Sequence, residues 1–392
     1  MKKITVPMPN TMYRVAWLLL ILKNILSPST IVPWNDMVDD IFSLLAVMFF
    51  ALAIIQKHFP YKYLFVCILL VITAVYNATR IDSLAILMTV MCCIAVQCDD
   101  LDDTIWFIYK WESAFVIVNV LCSLVLGLSG QSMWMRISGK VCYTFGFSHP
   151  NVFSIILVNI SLMWCWIHYE TLNFRKLSVL MLLHLFFYCF TGCRTALAMI
   201  AIFIGLYGFF HGKPRRHSVL RRMTQLIFPI LSIVMYLLIR FYTTGNFLIS
   251  LIDDILSWRI HLGAYALERF GLTFWGRNLQ NVSVSWDAYW RMNGMTFDNL
   301  YSMTLVNYGI IWTVVLTAGF YLVTKQENEQ NNIFILLWCA YAMTEVHGVN
   351  PLMLFPLLIL LAKPPRGTVA TESGRRVLKI SENIPSGDNK IG

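Results

Sequence analysis

The chain has 392 residues, of which 58% are hydrophobic and only 13% are charged. Soluble globular proteins carry roughly a quarter charged residues, so this composition excludes an ordinary soluble domain and predicts a polytopic integral membrane protein. The formal net charge of +9 does not indicate a nucleic-acid partner, because the Lys and Arg residues of membrane proteins concentrate in cytoplasmic loops.

Apolar runs near twenty residues long predict an all-α membrane domain over residues 1–362, with about twelve transmembrane helices. The predicted spans, in chain order, are 14–32, 39–56, 62–78, 82–98, 105–128, 151–168, 176–191, 195–211, 225–243, 300–323, 332–346 and 350–362. Residues 363–392 form a basic tail that is expected to be partly disordered. An even number of spans leaves both ends of the chain on one side of the membrane.

Charge predicts the orientation of the chain. The loop 212–222 and the segment 363–379 are rich in Lys and Arg, which marks their side as the cytoplasm. Both termini are then cytoplasmic. The segment 244–299 becomes one large extracytoplasmic loop, whose second part, 274–299, is rich in Trp, Asn and Gly.

The segments predicted to face outward hold many arginines but almost no lysine. The planar guanidinium of arginine binds two phosphate oxygens at once, which the lysine ammonium does not do. This bias predicts a ligand that carries phosphate or diphosphate at the outer leaflet. The arginines concerned are Arg80, Arg136, Arg194, Arg240, Arg259, Arg269, Arg277 and Arg291.

Two polar clusters precede predicted spans on the outward side. In SHPN (148–151), Pro150 suits the first turn of a helix, while His149 and Asn151 either belong to that helix start or line a site. In FTGCRTA (190–196), Gly192 separates two spans and Arg194 stands at the hinge. An unpaired arginine near hydrocarbon is costly, so Arg194 is a candidate functional residue.

Two more clusters lie later in the chain. The large loop and its end carry WRIH (258–261), WGRN (275–278) and FDNLYS (297–302), and EVHGVNP (345–351) connects the last two predicted spans. Within the latter, His347 is the best candidate base, because the unperturbed pKa of histidine lies near neutral pH. Glu345 is the nearby alternative, and an ordinary helix terminus explains the same segment without a site.

Acidic and cysteine motifs do not indicate a metal centre. The run DDLDD (99–103) falls on the predicted cytoplasmic side at the start of a span, where acidic side chains favour the helix dipole. The ten cysteines lie mostly inside apolar runs without metal-type spacing and are interpreted as small hydrophobic residues. No metal and no cofactor is therefore expected.

The order of these motifs resembles the bacterial repeat-unit polysaccharide polymerases (Wzy type) of the O-antigen polymerase/ligase superfamily. The resemblance rests on HPN before one span, TGCRTA opening another, an arginine followed by WGRN in the large loop, and DNLYSMTLVNYGII after it. It covers roughly residues 140–350. The first four spans match only in hydrophobicity.

The resemblance implies a metal-independent, inverting glycosyltransferase in the bacterial cytoplasmic membrane. Its substrate would be an oligosaccharide repeat unit on undecaprenyl diphosphate, polymerised for a capsule, an exopolysaccharide or an O-antigen. Arg194 and Arg259 match the family's arginine positions and would hold the diphosphate leaving group, with Arg277 as a further contact. His347, or else Glu345, would take the acceptor proton.

The remaining site residues would bind or position the sugar. A chain-length regulator and a flippase are the candidate protein partners, beside the lipid bilayer. The sugar-positioning residues are His149, Asn151, Asp298, Asn299, Tyr301 and Asn350.

Two other functions stay open from the sequence. A ligase, which moves a finished glycan to a different acceptor, shares the same parts. A lipid-linked sugar flippase or another transporter would be expected to carry charges in a central cavity and internal repeats. Here the ionisable residues gather at outer helix ends and the halves show no symmetry, which favours the enzyme.

Overall fold

The structure is a computed structural model. It describes residues 8–57, 59–125, 133–135, 139, 141–256, 258–279, 282–285, 291–293, 295, 297–325 and 328–362. Arg136 and the predicted basic tail 363–392 lie outside these residues.

The described chain is mainly helical. Its helices are α1 Met8–Leu26, α2 Asp36–Ile55, α3 Tyr61–Ile81, α4 Ala85–Ala95, α5 Leu101–Val125, α6 Pro150–Ile167, α7 Phe174–Thr191, α8 Arg194–Phe210, α9 His217–Phe241, α10 Phe247–Ile255, α11 Arg259–Phe270, α12 Leu300–Met303, α13 Ile310–Thr324 and α14 Glu329–Tyr341. Six helical segments are long and apolar enough to cross a membrane, and three shorter ones are apolar as well. The helical membrane protein predicted from composition is thus confirmed, while the twelve spans and their orientation stay predictions.

Two short antiparallel hairpins interrupt the predicted all-α fold. Strands β1 (Met133–Met135) and β2 (Val141–Tyr143) pair with Trp134 opposite Cys142. Strands β3 (Ser283–Ser285) and β4 (Arg291–Asn293) pair with Val284 opposite Met292. Both hairpins lie in segments predicted to be outside the membrane, where strands of three residues add little to the core.

Local sequence explains where several helices begin. The side-chain oxygen of an asparagine accepts a hydrogen bond from a backbone N–H in the first turn, which satisfies one of the unpaired donors there. Asn35, Asn173, Asn246, Asn299 and Asn328 cap α2, α7, α10, α12 and α14 in this way.

Burial differs strongly among the long helices. In α2, α3 and α7, less than a quarter of the most apolar 18-residue stretch is buried inside the protein, whereas in α6 the buried share is 67%. A helix that is apolar and exposed within the protein suits contact with lipid, while a helix apolar on all sides suits the centre of a bundle. We therefore place α6 at the centre of the helix bundle.

The last predicted spans differ from the structure. The helix predicted for 332–346 ends at Tyr341, and the segment predicted as a helix over 350–362 contains the extended residue Leu354 followed by a 3-10 helix, Phe355–Leu361. A buried asparagine of α6 stabilises this irregular backbone. Asn159 Oδ1 accepts from the Phe355 N–H at 2.9 Å, and its Nδ2 donates to the Leu352 carbonyl at 3.0 Å. Irregular backbone at membrane depth needs such protein partners.

The predicted span 300–323 is also broken. Helix α12 passes into a single π-helical stretch, Thr304–Tyr308, and Gly309 precedes α13. Gly309 has φ 101°, and a Cβ there would lie 2.3 Å from the carbonyl oxygen of Phe274. Only glycine fits this close approach between the two backbones.

Contacts join the helix ends predicted to face outward, which we call the outer end of the bundle. The Ser148 N–H donates to the Pro28 carbonyl at 2.7 Å, and the Thr30 N–H donates to the Gly146 carbonyl at 3.0 Å. The start of α6 is therefore fixed against the link between α1 and α2.

The opposite, inner end is joined by different groups. The Tyr169 hydroxyl donates to Glu329 Oε1 at 2.6 Å, and His211 Nδ1 lies 2.9 Å from the same oxygen. Trp166 Nε1 donates to Asp102 of the DDLDD run at 2.7 Å. Asp102 and Asp103 lie in the first turn of α5, in agreement with the interpretation of the run as a helix start.

Candidate functional site

An arginine and a glutamate from distant parts of the chain meet at the outer end. Arg259 Nη2, at the start of α11, lies 3.5 Å from Glu345 Oε1, just beyond the end of α14. The exposed fraction of the side chain is 12% for Arg259 and 9% for Glu345. The guanidinium also donates from Nε to the Asp298 carbonyl at 3.0 Å and from Nη1 to the Leu256 carbonyl at 2.8 Å.

Burial shifts the proton affinity of two groups in this region. It raises the pKa of Glu345 to about 7, although the positive charge of Arg259 opposes the shift and the charge of Asp298 adds to it. Burial lowers the pKa of His347, against the attraction of Asp298. Burial therefore favours the neutral imidazole of His347, the form in which one ring nitrogen can accept a proton as a general base does.

Arg194 is the first residue of α8. Gly192, with φ 63°, ends α7 in a left-handed cap, and its N–H donates to the Tyr188 carbonyl at 2.8 Å, so that the chain reverses into α8 at Arg194. Helix α8 packs against α14, the helix that Glu345 follows. The Arg194 side chain at the start of α8 is exposed.

Arg277 belongs to a turn fixed by backbone contacts. Its backbone N–H donates to the Asn307 carbonyl at 2.8 Å, and its Nη1 donates to the Phe270 carbonyl at 2.6 Å. The turn also rests on α3, where Asn77 Nδ2 donates to the carbonyls of Trp275 and Tyr308, each at 2.7 Å. The WGRN motif is therefore a docked turn whose arginine remains largely exposed.

The FDNLYS residues separate into an exposed group and a buried group. Asp298 is exposed and carries the negative charge that acts on His347. Asn299 is fully buried, caps α12 and donates from Nδ2 to the Met343 carbonyl at 2.6 Å. Tyr301 is also fully buried, and its hydroxyl donates to the Cys339 carbonyl at 2.9 Å. Asn299 and Tyr301 thus fix the backbone around the site.

His149 and Asn151 form a helix cap. The His149 Nδ1 atom accepts from the Asn151 N–H at 3.1 Å, and Pro150 occupies the first turn of α6. The interpretation of SHPN as a helix start therefore holds for the backbone. Neither residue lines the cavity described next, although Val152, one residue further on, does.

A cavity of about 690 Å³ lies between α1, α2, α4 and the segment 347–353. Of the predicted site residues, it is lined by His347 and Asn350. Asn350 Nδ2 donates to Asn24 Oδ1 at 3.0 Å, and Asn350 Oδ1 accepts from the Leu352 N–H at 3.0 Å. Arg194, Arg259 and Arg277 do not line it.

Several residues of this region escaped the sequence analysis. The cavity wall carries the acidic residues Asp36, Asp39, Asp40 and Asp82 from spans that match the resembled family only in hydrophobicity. A sequence signal existed, because NDMVDD (35–40) places three carboxylates before an apolar run. Among the described residues, no group of three His, Cys, Asp or Glu side chains is arranged to hold a metal ion.

Comparisons of the chain with protein-family models, with curated proteins and with solved structures give no match. The resemblance to the polysaccharide polymerases thus remains an expectation drawn from the motifs.

Proposed function

We propose that this chain is a glycosyltransferase that polymerises oligosaccharide repeat units carried on undecaprenyl diphosphate at the outer leaflet of the bacterial cytoplasmic membrane. The observation that carries the proposal is the contact of Arg259 with Glu345 at the outer end, two residues before His347, which lines the 690 Å³ cavity.

The arginines supply what the leaving group needs. As the bond between the anomeric carbon and the phosphate oxygen breaks, its electron pair moves to the diphosphate, and preorganised cations stabilise that developing charge. Arg259 is preorganised, because Asp298, Leu256 and Glu345 fix its guanidinium. Arg194 supplies the second cation of the proposed diphosphate contact.

His347 supplies the base. The acceptor hydroxyl oxygen attacks the anomeric carbon from the face opposite the diphosphate, and its proton passes to the neutral imidazole. His347 suits this role better than Glu345, because His347 lines the cavity whereas Glu345 is paired with Arg259. Glu345 instead orients the guanidinium of Arg259.

The test is deletion of the gene followed by analysis of cell-surface glycan and of lipid-linked intermediates. We expect loss of polymer and accumulation of single lipid-linked repeats on the outer leaflet. If the repeats accumulate on the inner leaflet, the chain is a flippase. If polymer forms but is not transferred to its final acceptor, the chain is a ligase. Either result overturns the proposal.

A further inference from the structure

The cavity beside His347 has a strongly negative wall. Asp36, Asp39, Asp40 and Asp82 line it, together with one cationic side chain, Lys23. Lys23 Nζ lies 2.9 Å from Asp39 Oδ2 and also donates to Ser43 Oγ, so its charge is already neutralised. Within the described chain, the other three carboxylates form no ion pair, and the lining contains no arginine.

Such a wall disfavours an anionic ligand. Asp36, Asp40 and Asp82 stand at the exposed rim of the cavity, and several carboxylates at one opening repel a diphosphate. The region around Arg259, which we call the arginine side, is therefore positively charged, whereas the cavity is negatively charged. The two regions meet at residues 345–347. Glu345 faces Arg259, while His347 lines the cavity.

The same wall suits hydroxyl groups. An ionised carboxylate is a pure acceptor with two oxygens and bonds strongly to O–H donors. The cavity also offers the amide of Asn350 and the apolar side chains of Leu84 and Met88, against which the apolar face of a sugar ring can pack. Its volume of about 690 Å³ lies within the range of small-molecule sites, about 300–1,000 Å³.

We infer that this cavity is the acceptor subsite, which binds the non-reducing end of a repeat unit that is neutral or cationic there, through the carboxylates of Asp36, Asp40 and Asp82. The inference rests on the proposed function, since it assigns the second substrate of the same reaction. It places the acceptor hydroxyl at His347, with the lipid diphosphate on the arginine side.

The experiment measures binding separately from polymerisation. The probe is the lipid-free repeat-unit oligosaccharide, released by mild acid from the lipid-linked repeats of the deletion strain and titrated against the full-length protein in lipid nanodiscs. It lacks a diphosphate and can act only as an acceptor. We expect saturable binding that weakens about tenfold or more in the triple variant Asp36→Asn, Asp40→Asn, Asp82→Asn, because hydrogen bonds to a charged acceptor are stronger than those to a neutral amide.

Two controls separate this inference from the proposed function. Asp103→Asn removes an exposed carboxylate at the start of α5, away from the cavity, and is expected to leave binding unchanged. Arg194→Lys is expected to abolish polymerisation while the oligosaccharide still binds normally. Equal affinity of the triple variant and the wild type, no saturable binding by the wild type, or an anionic sugar at the accepting end overturns the subsite while leaving the polymerase proposal standing. Failure of the wild type to polymerise overturns the proposed function itself.

Discussion

The Asn159 side chain supplies the Phe355 N–H with the hydrogen-bond acceptor that a preceding turn of helix would otherwise provide. Its Oδ1 accepts the Phe355 N–H at 2.9 Å, and its Nδ2 reaches both the Leu352 carbonyl at 3.0 Å and Glu112 Oε2 at 3.2 Å. One fully buried amide in α6 therefore stabilises the irregular segment that also forms a wall of the cavity.

Asn159→Leu is expected to lower the free energy of unfolding by about 2 kcal/mol or more, because it leaves the Phe355 N–H and the Glu112 carboxyl without their hydrogen-bond partner and leaves the Leu352 carbonyl with the bond from Asn24 alone. The measurement is the apparent melting temperature of the purified protein in detergent. Asn173→Ala, which removes a single exposed cap bond of α7, is the control, with an expected loss of about 1 kcal/mol. Equal losses in the two variants would contradict the structural role of Asn159.

Arg194→Lys is expected to abolish polymer while the protein stays in the membrane. Lysine keeps the charge but loses the planar pair of donors that a diphosphate needs. The readout is glycan chain length on gels, with protein content checked by immunoblot. Arg269→Lys changes an exposed arginine of α11 that contacts Tyr265 and should leave the chain length normal. Wild-type chain length in Arg194→Lys would refute the diphosphate contact.

The two candidate histidines are expected to differ in effect. His347→Ala should lower turnover about 100-fold or more, as loss of a general base does. His149→Asn should leave turnover near the wild-type value, because asparagine also caps a helix start. The measurement is polymerisation from purified lipid-linked repeats in nanodiscs. A large loss of turnover in His149→Asn, with His347→Ala active, would reverse the assignment.

The wild type is expected to lose stability as the pH rises from 5 to 8, relative to Glu345→Gln. The pKa of Glu345 is raised from 4.5 to about 7, so the folded state binds a proton that the unfolded state has released between these values. Stability from this group is complete below pH 4.5 and is lost as the pH passes 7, a change of about 3 kcal/mol.

The measurement for Glu345→Gln is the difference in apparent melting temperature between wild type and variant across this pH range. Taking the difference removes the opposite contribution of His347, whose lowered pKa adds stability as the pH rises toward 6.5. A difference that does not change with pH would show that Glu345 titrates in its ordinary range.

Gly309→Ala is expected to give little folded protein. Its φ of 101° disfavours any side chain, and the new Cβ would lie 2.3 Å from the Phe274 carbonyl oxygen. Gly205→Ala, at a position in α8 where a Cβ has no neighbour within 4 Å, should be neutral or slightly stabilising. Yield of monodisperse protein after size exclusion reports both effects, and normal yield of Gly309→Ala would contradict the packing of the WGRN turn.

Hydropathy predicted the membrane class and most helix positions, because long apolar runs have few alternatives in lipid. It failed for 350–362, where the run is apolar enough to span but its backbone is held by Asn24 and Asn159 from other helices. A hydropathy pattern contains no information on such distant partners.

The motifs singled out Arg194, Arg259 and His347, because the chemistry of phosphate binding and proton transfer limits the residue types, and their roles stay predictions. They missed the carboxylates of Asp36, Asp40 and Asp82. These residues precede apolar runs and look like ordinary helix starts, and only the fold brings α2 and α4 next to His347.

The two charged regions of the proposed site come from different parts of the chain. The acidic wall comes from residues before position 90, whereas both arginines of the proposed diphosphate contact come after position 190. Under the proposed function, the residues that bind the acceptor sugar and the residues that hold the diphosphate are encoded in separate stretches of the gene. We then expect substitutions within the first four helices to change which glycan is elongated without changing the leaving-group contacts.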